Sequence, residues 1–138
     1  MRGKTIVITG ATSGIGEVAA IRLAEQGARI VFTARDKVRA AATMEKLRRA
    51  NGAVEHAVHL ADLSLLAEMK RVAGEIAEEP EIDVLINNAG IALSTGPRRL
   101  SEDGHELTFA VNYLAPFLLT QVLRPSLEIG RASCRERV

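Results

Sequence analysis

A doubly wound α/β domain built on a parallel sheet is the fold class predicted by this 138-residue sequence. Three observations predict it. Ile6-Val7-Ile8 is an apolar, β-branched run, as a strand buried on both faces requires, and it leads straight into the glycine-rich stretch Thr9-Gly10-Ala11-Thr12-Ser13-Gly14-Ile15-Gly16. Strand and helix patterns then alternate along the chain, which calls for right-handed crossovers, parallel strands and the order 3-2-1-4. Finally, Asp62-Leu63 and Asn87-Asn88-Ala89-Gly90 follow the third and fourth strands, so they fall at the carboxyl ends, where such sheets carry their ligand crevice.

In the glycine stretch, Gly10 permits a tight turn, Gly14 lets the backbone approach a pyrophosphate, and Gly16 lets the new helix lie close to the sheet. The helix start offers free N–H groups and a positive dipole end to phosphates. Glycine-rich turns after strands also occur without any ligand, so the loop alone leaves both readings open. The first helix is expected over Glu17 to Gln26, with Gly16, Ala19, Ala20, Leu23, Ala24 and Gly27 on the arc that faces the sheet. A second strand is expected from Ala28 to Ala34, followed by Asp36 as helix N-cap. Residues 37 to 50 read as a solvated helix that turns Val38, Ala41, Met44 and Leu47 inward.

Asn51-Gly52 makes a turn, and Ala53 to Leu60 read as a third strand carrying His56 and His59. Neither histidine has another ligand at metal-like spacing, so both read as structural and no metal site is expected. Ser64 is expected to cap a third helix whose inward stripe is Leu65, Met69, Val72 and Ile76, with Pro80 ending it and Ile82 to Ile86 forming the fourth strand. Residues 91 to 100 read as a loop, and residues 101 to 127 as helical with one break. Pro116 has no N–H and its ring clashes with the carbonyl four residues earlier, so a kink that frees the Asn112 carbonyl is expected.

The totals narrow the possible functions. Hydrophobic residues make up 47% of the chain and charged residues 25%, an ordinary globular balance. A net charge of +1 without a basic stripe, and only 3% aromatic residues, argue against nucleic acid as a partner. Met1-Arg2-Gly3-Lys4 runs directly into a strand, without an apolar leader or a membrane-length apolar run, so a cytoplasmic protein with no membrane segment is expected. The single cysteine, Cys134, cannot form an internal disulfide.

Thr9-Gly10-x-x-x-Gly14-x-Gly16 taken with Asn87-Asn88-Ala89-Gly90 resembles the short-chain dehydrogenase/reductase family, over residues 4 to about 127. The stretch Asp103 to Leu114 is similar to its retinol-dehydrogenase-like branch. The resemblance implies a Rossmann-type domain that binds NAD(P) through Gly10, Ala11, Thr12, Ser13, Gly14, Ile15 and Gly16. It also implies that Asp62 contacts the adenine, that Leu63 lines its pocket, and that Asn88, Ala89 and Gly90 line the coenzyme site with Asn88 nearest the ribose. For Asp62 a plain helix-entry role is the alternative.

Coenzyme choice is read at the end of the second strand. The general rule seeks an acid about 20 residues past the glycines, and Asp36 is near that count. In the family the NAD-selecting acid ends the strand itself, where this chain has Ala34, while Arg35 matches a basic residue that binds the 2′-phosphate. The resemblance therefore implies NADP rather than NAD, the alternative being that Arg35 is a solvated loop charge.

Asn112 matches the family's catalytic asparagine, which holds a water in a proton relay. The family's serine and its Tyr-x-x-x-Lys pair have no counterpart, because Tyr113 is the only tyrosine and Phe117 stands four residues after it. Residues 1–127 thus read as the coenzyme half of a domain truncated before its fifth strand. Residues 128–138, Glu-Ile-Gly-Arg-Ala-Ser-Cys-Arg-Glu-Arg-Val, match the in-frame translation of a common short-read sequencing adapter and read as a non-native tail. The parent is expected to move a hydride between NADP(H) and a small-molecule carbonyl or alcohol, and the resemblance allows a homo-oligomer. The fragment itself is expected to be inactive. A non-catalytic nucleotide-binding protein is the competing reading.

Overall fold

The computed structural model describes the backbone of residues 1–92 and 96–135, and the side chains of those up to 127. Leu93, Ser94 and Thr95 of the expected loop, the Cys134 side chain and residues 136–138 lie outside the described residues.

Four parallel strands, β1 (Thr5–Thr9), β2 (Arg29–Ala34), β3 (Ala57–Leu60) and β4 (Val84–Ile86), form one sheet in the order β3-β2-β1-β4, as the sequence predicts. The central strand β1 pairs Ile6, Val7 and Ile8 with Ile30, Val31 and Phe32 on one side and with Val84, Leu85 and Ile86 on the other. Because side chains alternate along a strand, each strand feeds two cores. Ile6, Ile8, Ile30 and Phe32 pack under α1 (Gly14–Glu25) and α2 (Lys37–Ala50) with Ala20, Ala24, Met44 and Leu47. On the opposite face, Val7 and Val31 pack under α3 (Leu66–Ala77) and α5 (Ala115–Arg135) with Met69, Val72, Ile76, Leu119 and Leu123. This two-sided burial explains the apolar runs Ile6-Val7-Ile8 and Ile30-Val31-Phe32 of the two inner strands.

Several boundaries differ from the sequence expectation, and at β3 and α3 a side chain takes over a backbone partner. The helix α1 begins three residues early, at Gly14. The strand β3 is only Ala57–Leu60, because His56 meets β2 through its ring: Ile30 N–H donates to His56 Nδ1 at 3.0 Å. Ser64 does not cap α3. Its N–H and hydroxyl both donate to Asp62 Oδ1, at 2.9 and 2.7 Å, and Leu65 holds the cap position without a side-chain bond. The first turn is capped from a distance instead, by Asp103 Oδ2 accepting from Leu66 N–H at 2.7 Å.

In α2, Asp36 caps as expected, accepting from Arg39 N–H at 2.9 Å, but the inward stripe is Ala40, Thr43, Met44 and Leu47. Val38 is 79% exposed, and Ala41 is exposed as well, since Thr43 takes the place facing α1 and donates to Glu17 Oε1. Residues 101–106 are a turn rather than helix. Gly104 takes φ +80°, Ser101 N–H donates to the His105 carbonyl at 2.7 Å, and the Glu106 carboxylate caps Thr108 and Phe109. The helix then starts as α4 (Leu107–Phe109), widens into a π turn over Ala110–Leu114, and continues as α5, so the expected break is a change of register. Pro125 lies inside α5, which the sequence reading did not anticipate, and the backbone stays helical into residues 128–135. Among the described residues no helix is long and apolar enough to cross a membrane.

His56 generates a pH prediction. Burial is the largest influence on its imidazole and holds it below the ordinary histidine range, with Arg29 and Arg48 pushing the same way. Since Nδ1 accepts from Ile30, Nε2 carries the proton and donates to the Asn51 carbonyl at 3.0 Å. A folded-state value below the unfolded one means the unfolded chain binds the proton more readily. Stability is then full above the unfolded value of about 6.5 and is lost as pH falls through it. Urea melts between about pH 7.5 and pH 5.5 should show this loss in the wild type and a flatter profile in His56→Gln. Parallel profiles would contradict the assignment.

Candidate functional site

A cleft of about 440 Å³ opens at the carboxyl ends of the strands, within the usual size range of a small-molecule site. Gly10, Thr12, Ser13, Ile15 and Gly16 form its floor, Thr33, Ala34, Arg35, Asp36 and Arg39 one rim, Ala61, Asp62 and Leu63 the next, and Asn88, Ala89, Gly90 and Ile91 the opposite wall. Of the residues expected to bind coenzyme, Ala11 and Gly14 alone do not line it. Ala11 is fully buried beneath the loop, and Gly14 opens α1 at φ +56° with open space above it.

The wall is tied to the central strand by a compact set of bonds. Thr9 Oγ1 accepts from the backbone N–H of both Asn88 (3.0 Å) and Ala89 (2.9 Å). Asn88 Nδ2 donates back to the carbonyls of Thr9 (3.0 Å) and Gly10 (2.9 Å). Two glycines are required by this closeness. A Cβ on Gly10, whose φ is +68°, would lie 2.9 Å from Ala89 Cα, and one on Gly16 would collide with Asn88 Nδ2 and come within 2.5 Å of the Gly10 carbonyl oxygen. Gly16 thus serves contact with Asn88 in addition to helix packing.

The first turn of α1 faces this cleft with its donors unspent. Ser13 is the N-cap residue and its side chain makes no capping bond to the N–H groups of the turn, and Ser13, Ile15 and Gly16 line the cleft. An uncapped helix start beside a glycine cradle fits the phosphates of a dinucleotide. On the rim, Ala34 is 4% exposed and brings no carboxylate, while Arg35 is exposed. Asp36 Oδ1 is committed to the Arg39 amide, and Asp62 Oδ1 is committed to Ser64. Asp62 thus lines the cleft and also shapes the entry to α3.

Asn112 is not among the cleft-lining residues. It lies on the π turn, beside a smaller pocket of about 310 Å³ formed with Tyr113, Pro116, Phe117, Thr120 and Gln121. Its amide reaches the cleft wall from outside: Oδ1 accepts from Ile91 N–H at 2.9 Å and Nδ2 donates to the Ile91 carbonyl at 2.8 Å. Sequence reasoning missed Thr33, Arg39, Ala61, Ile91 and Val111 as lining residues, and Thr9 as the anchor of the wall. Arg39 was legible, being a second cation one helical turn past Arg35, and Thr33 and Ala61 sit at or just past strand ends. Val111 carries no signal, since its placement follows from the π turn. Among the described residues no group of three or more His, Cys, Asp or Glu is gathered for a metal ion.

Comparison with known proteins agrees with this geometry. The family described as short chain dehydrogenase matches residues 4–134, a match that includes part of the C-terminal stretch read as a tail. The chain is 40% identical over 134 residues to dehydrogenase/reductase SDR family member 13 of Bos taurus, covering 96% of this chain and 34% of that protein. It is 41% identical over 137 residues to retinol dehydrogenase 14 of Homo sapiens, covering 89% of this chain and 40% of that protein. The chain thus spans about a third to two fifths of the length of these curated relatives. Among solved structures, the short-chain dehydrogenase from Sphingobium yanoikuyae in complex with NADPH is 38% identical with a TM-score of 0.77, over 88% of this chain and 48% of that one. With its Rossmann-type sheet, glycine cradle and Asn-Asn-Ala-Gly wall, the chain belongs to the short-chain dehydrogenase/reductase family of oxidoreductases.

Proposed function

We propose that the cleft binds NADP(H) and that the parent protein moves a hydride between this coenzyme and a carbonyl or alcohol carbon of a small molecule. The observation that carries the coenzyme choice is the rim after β2: Arg35 stands exposed beside Ala34, and the acid on that rim, Asp36, has one oxygen tied to its own helix. A guanidinium there suits a 2′-phosphate, whereas a free 2′-hydroxyl finds no strand-end carboxylate. Arg39 lines the same rim and adds a second cation.

In this reading Gly10 through Gly16 hold the pyrophosphate, with Ala11 supporting the loop from below and Gly14 leaving room above it. Asp62 and Leu63 bound the adenine side, and Asn88, Ala89 and Gly90 the ribose side. When bound, the coenzyme gives or accepts the hydride at its nicotinamide. The chain's own contribution to proton handling is Asn112. Both polar atoms of its side chain are held by Ile91, so the backbone carbonyl, which cannot bond to Pro116, is what it offers to a relay water. The reading keeps the cytoplasmic setting, and the exposed, stacked rings of Phe109, Tyr113 and Phe117 offer a face for a homo-oligomeric parent. It also keeps residues 128–138 as a non-native tail, whose deletion should leave coenzyme affinity unchanged.

Titrating NADPH and NADH into the wild type should show NADPH binding about ten- to a hundredfold tighter, the worth of a charge-assisted hydrogen bond. Arg35→Ala should remove most of that preference and Arg39→Ala a smaller part. Equal affinities in the wild type would overturn the coenzyme assignment.

The 138-residue chain should not oxidise NADPH with aldehydes or ketones, because general acid–base catalysis, worth about 10²–10⁴-fold, has no tyrosine–lysine pair to supply it. Saturable turnover that survives Asn112→Ala would show that the chemistry lies elsewhere.

A further inference from the structure

The helix that carries Asn112 changes register just where the cleft wall needs support. Ala115 N–H bonds to the Ala110 carbonyl, a step of five residues, and Ala110–Leu114 form a π turn. The burial pattern records the same insertion. Ala110, Ala115, Leu119 and Leu123 are all fully buried, so the inward stripe advances by five residues once and by four thereafter. In an unbroken α-helix the position preceding Ala115 on that stripe would be Val111, and residues before the turn would be rotated by about 100° relative to their present place. Asn112 would then no longer face Ile91.

Pro116 is suited to such an insertion. It has no N–H for the carbonyls of Asn112 or Val111, four and five residues earlier, and its ring collides with the nearer of the two in α geometry. A widened turn removes the collision. Pro116 also falls in the first turn of α5, where an absent N–H costs little. π turns are uncommon and poorly bonded, and where they persist they are often tied to a functional site. Here the turn delivers the Asn112 amide to both backbone groups of Ile91, the residue after Gly90 in the cleft wall. The approach is close, with Asn112 Oδ1 only 3.4 Å from where a Cβ on Gly90 would stand.

We propose that Pro116 is a positioning residue: it sets the π register that aims Asn112 at Ile91, and through that clamp it holds the ribose-side wall of the coenzyme cleft. The inference about the wall rests on the cleft being the coenzyme site, but the clamp can be read without any coenzyme.

The test uses the full chain as wild type, Pro116→Ala, Asn112→Ala and the double variant, with Asn112→Asp as a conservative arm. Amide exchange of Ile91, followed by NMR in the free protein, should speed up about two- to tenfold in Pro116→Ala and in Asn112→Ala, the equivalent of one ordinary hydrogen bond. The double variant should be no faster than Asn112→Ala, because both changes break the same link. Asn112→Asp keeps the acceptor for Ile91 N–H and should retain protection. NADPH affinity should weaken by a similar factor in Pro116→Ala while its melting temperature stays at or above the wild-type value, since alanine is the better helix former. That combination separates positioning from general loss of structure.

Unchanged Ile91 exchange in Pro116→Ala, or additive effects in the double variant, would overturn the proposal. A wild type that binds no NADPH would remove the coenzyme reading, while the exchange data would still decide whether Pro116 sets the clamp.

Discussion

The hydrogen bonds between Thr9 and Asn88 are the constraint on which the rest of the site depends. One hydroxyl oxygen at the end of β1 takes the N–H groups of two successive residues, and one amide returns two bonds to the loop that follows β1. These groups sit at the point where the parallel ladder stops, so without them four backbone polar groups would lack these partners at the edge of the core. The bonds draw the Asn-Asn-Ala-Gly wall so close to the glycine loop that side chains are excluded at Gly10 and Gly16. The glycines are therefore consequences of the brace as much as of any ligand.

From that brace the cleft follows with few further choices. The wall is fixed along β1 by Thr9 and Asn88 and from the helical side by the Asn112–Ile91 clamp. The floor is the uncapped start of α1, where unspent N–H groups favour anions. On the rim after β2, Arg35 and Arg39 line the cleft, with Asp36 turned to helix capping. Fold and site thus share one set of contacts.

The fold was legible because its strands are buried on both faces: Ile6-Val7-Ile8 cannot be placed at a surface, and the glycine stretch that follows marks the turn. Boundaries were less legible wherever a side chain stands in for the backbone. His56 occupies the place of a ladder residue, Asp62 draws Ser64 away from the cap, and Asp103 caps a helix 37 residues upstream. Local propensity carries no trace of such partners. Most of the glycine loop, Asp62, Leu63 and Asn88 to Gly90, named through the family resemblance, are gathered around the cleft. Thr9 was passed over because a threonine ending a strand is ordinary until its two bonds are seen. The two bonds from the Asn112 amide to Ile91 depend on a π turn that only the Pro116 signal hinted at.

The central claim is that the Thr9–Asn88 brace builds the nucleotide-binding cleft. Thr9→Val tests it most directly, because valine keeps the shape of threonine and removes the one oxygen that the Asn88 and Ala89 amides share. The measurement is NADPH titration of wild type and variant, with urea melts of both to report the folded fraction. The account predicts a loss of about 1–3 kcal/mol in stability per amide left without its acceptor. It also predicts that NADPH binding to the folded variant weakens by about tenfold or more. A variant as stable as the wild type that binds NADPH equally well would contradict it.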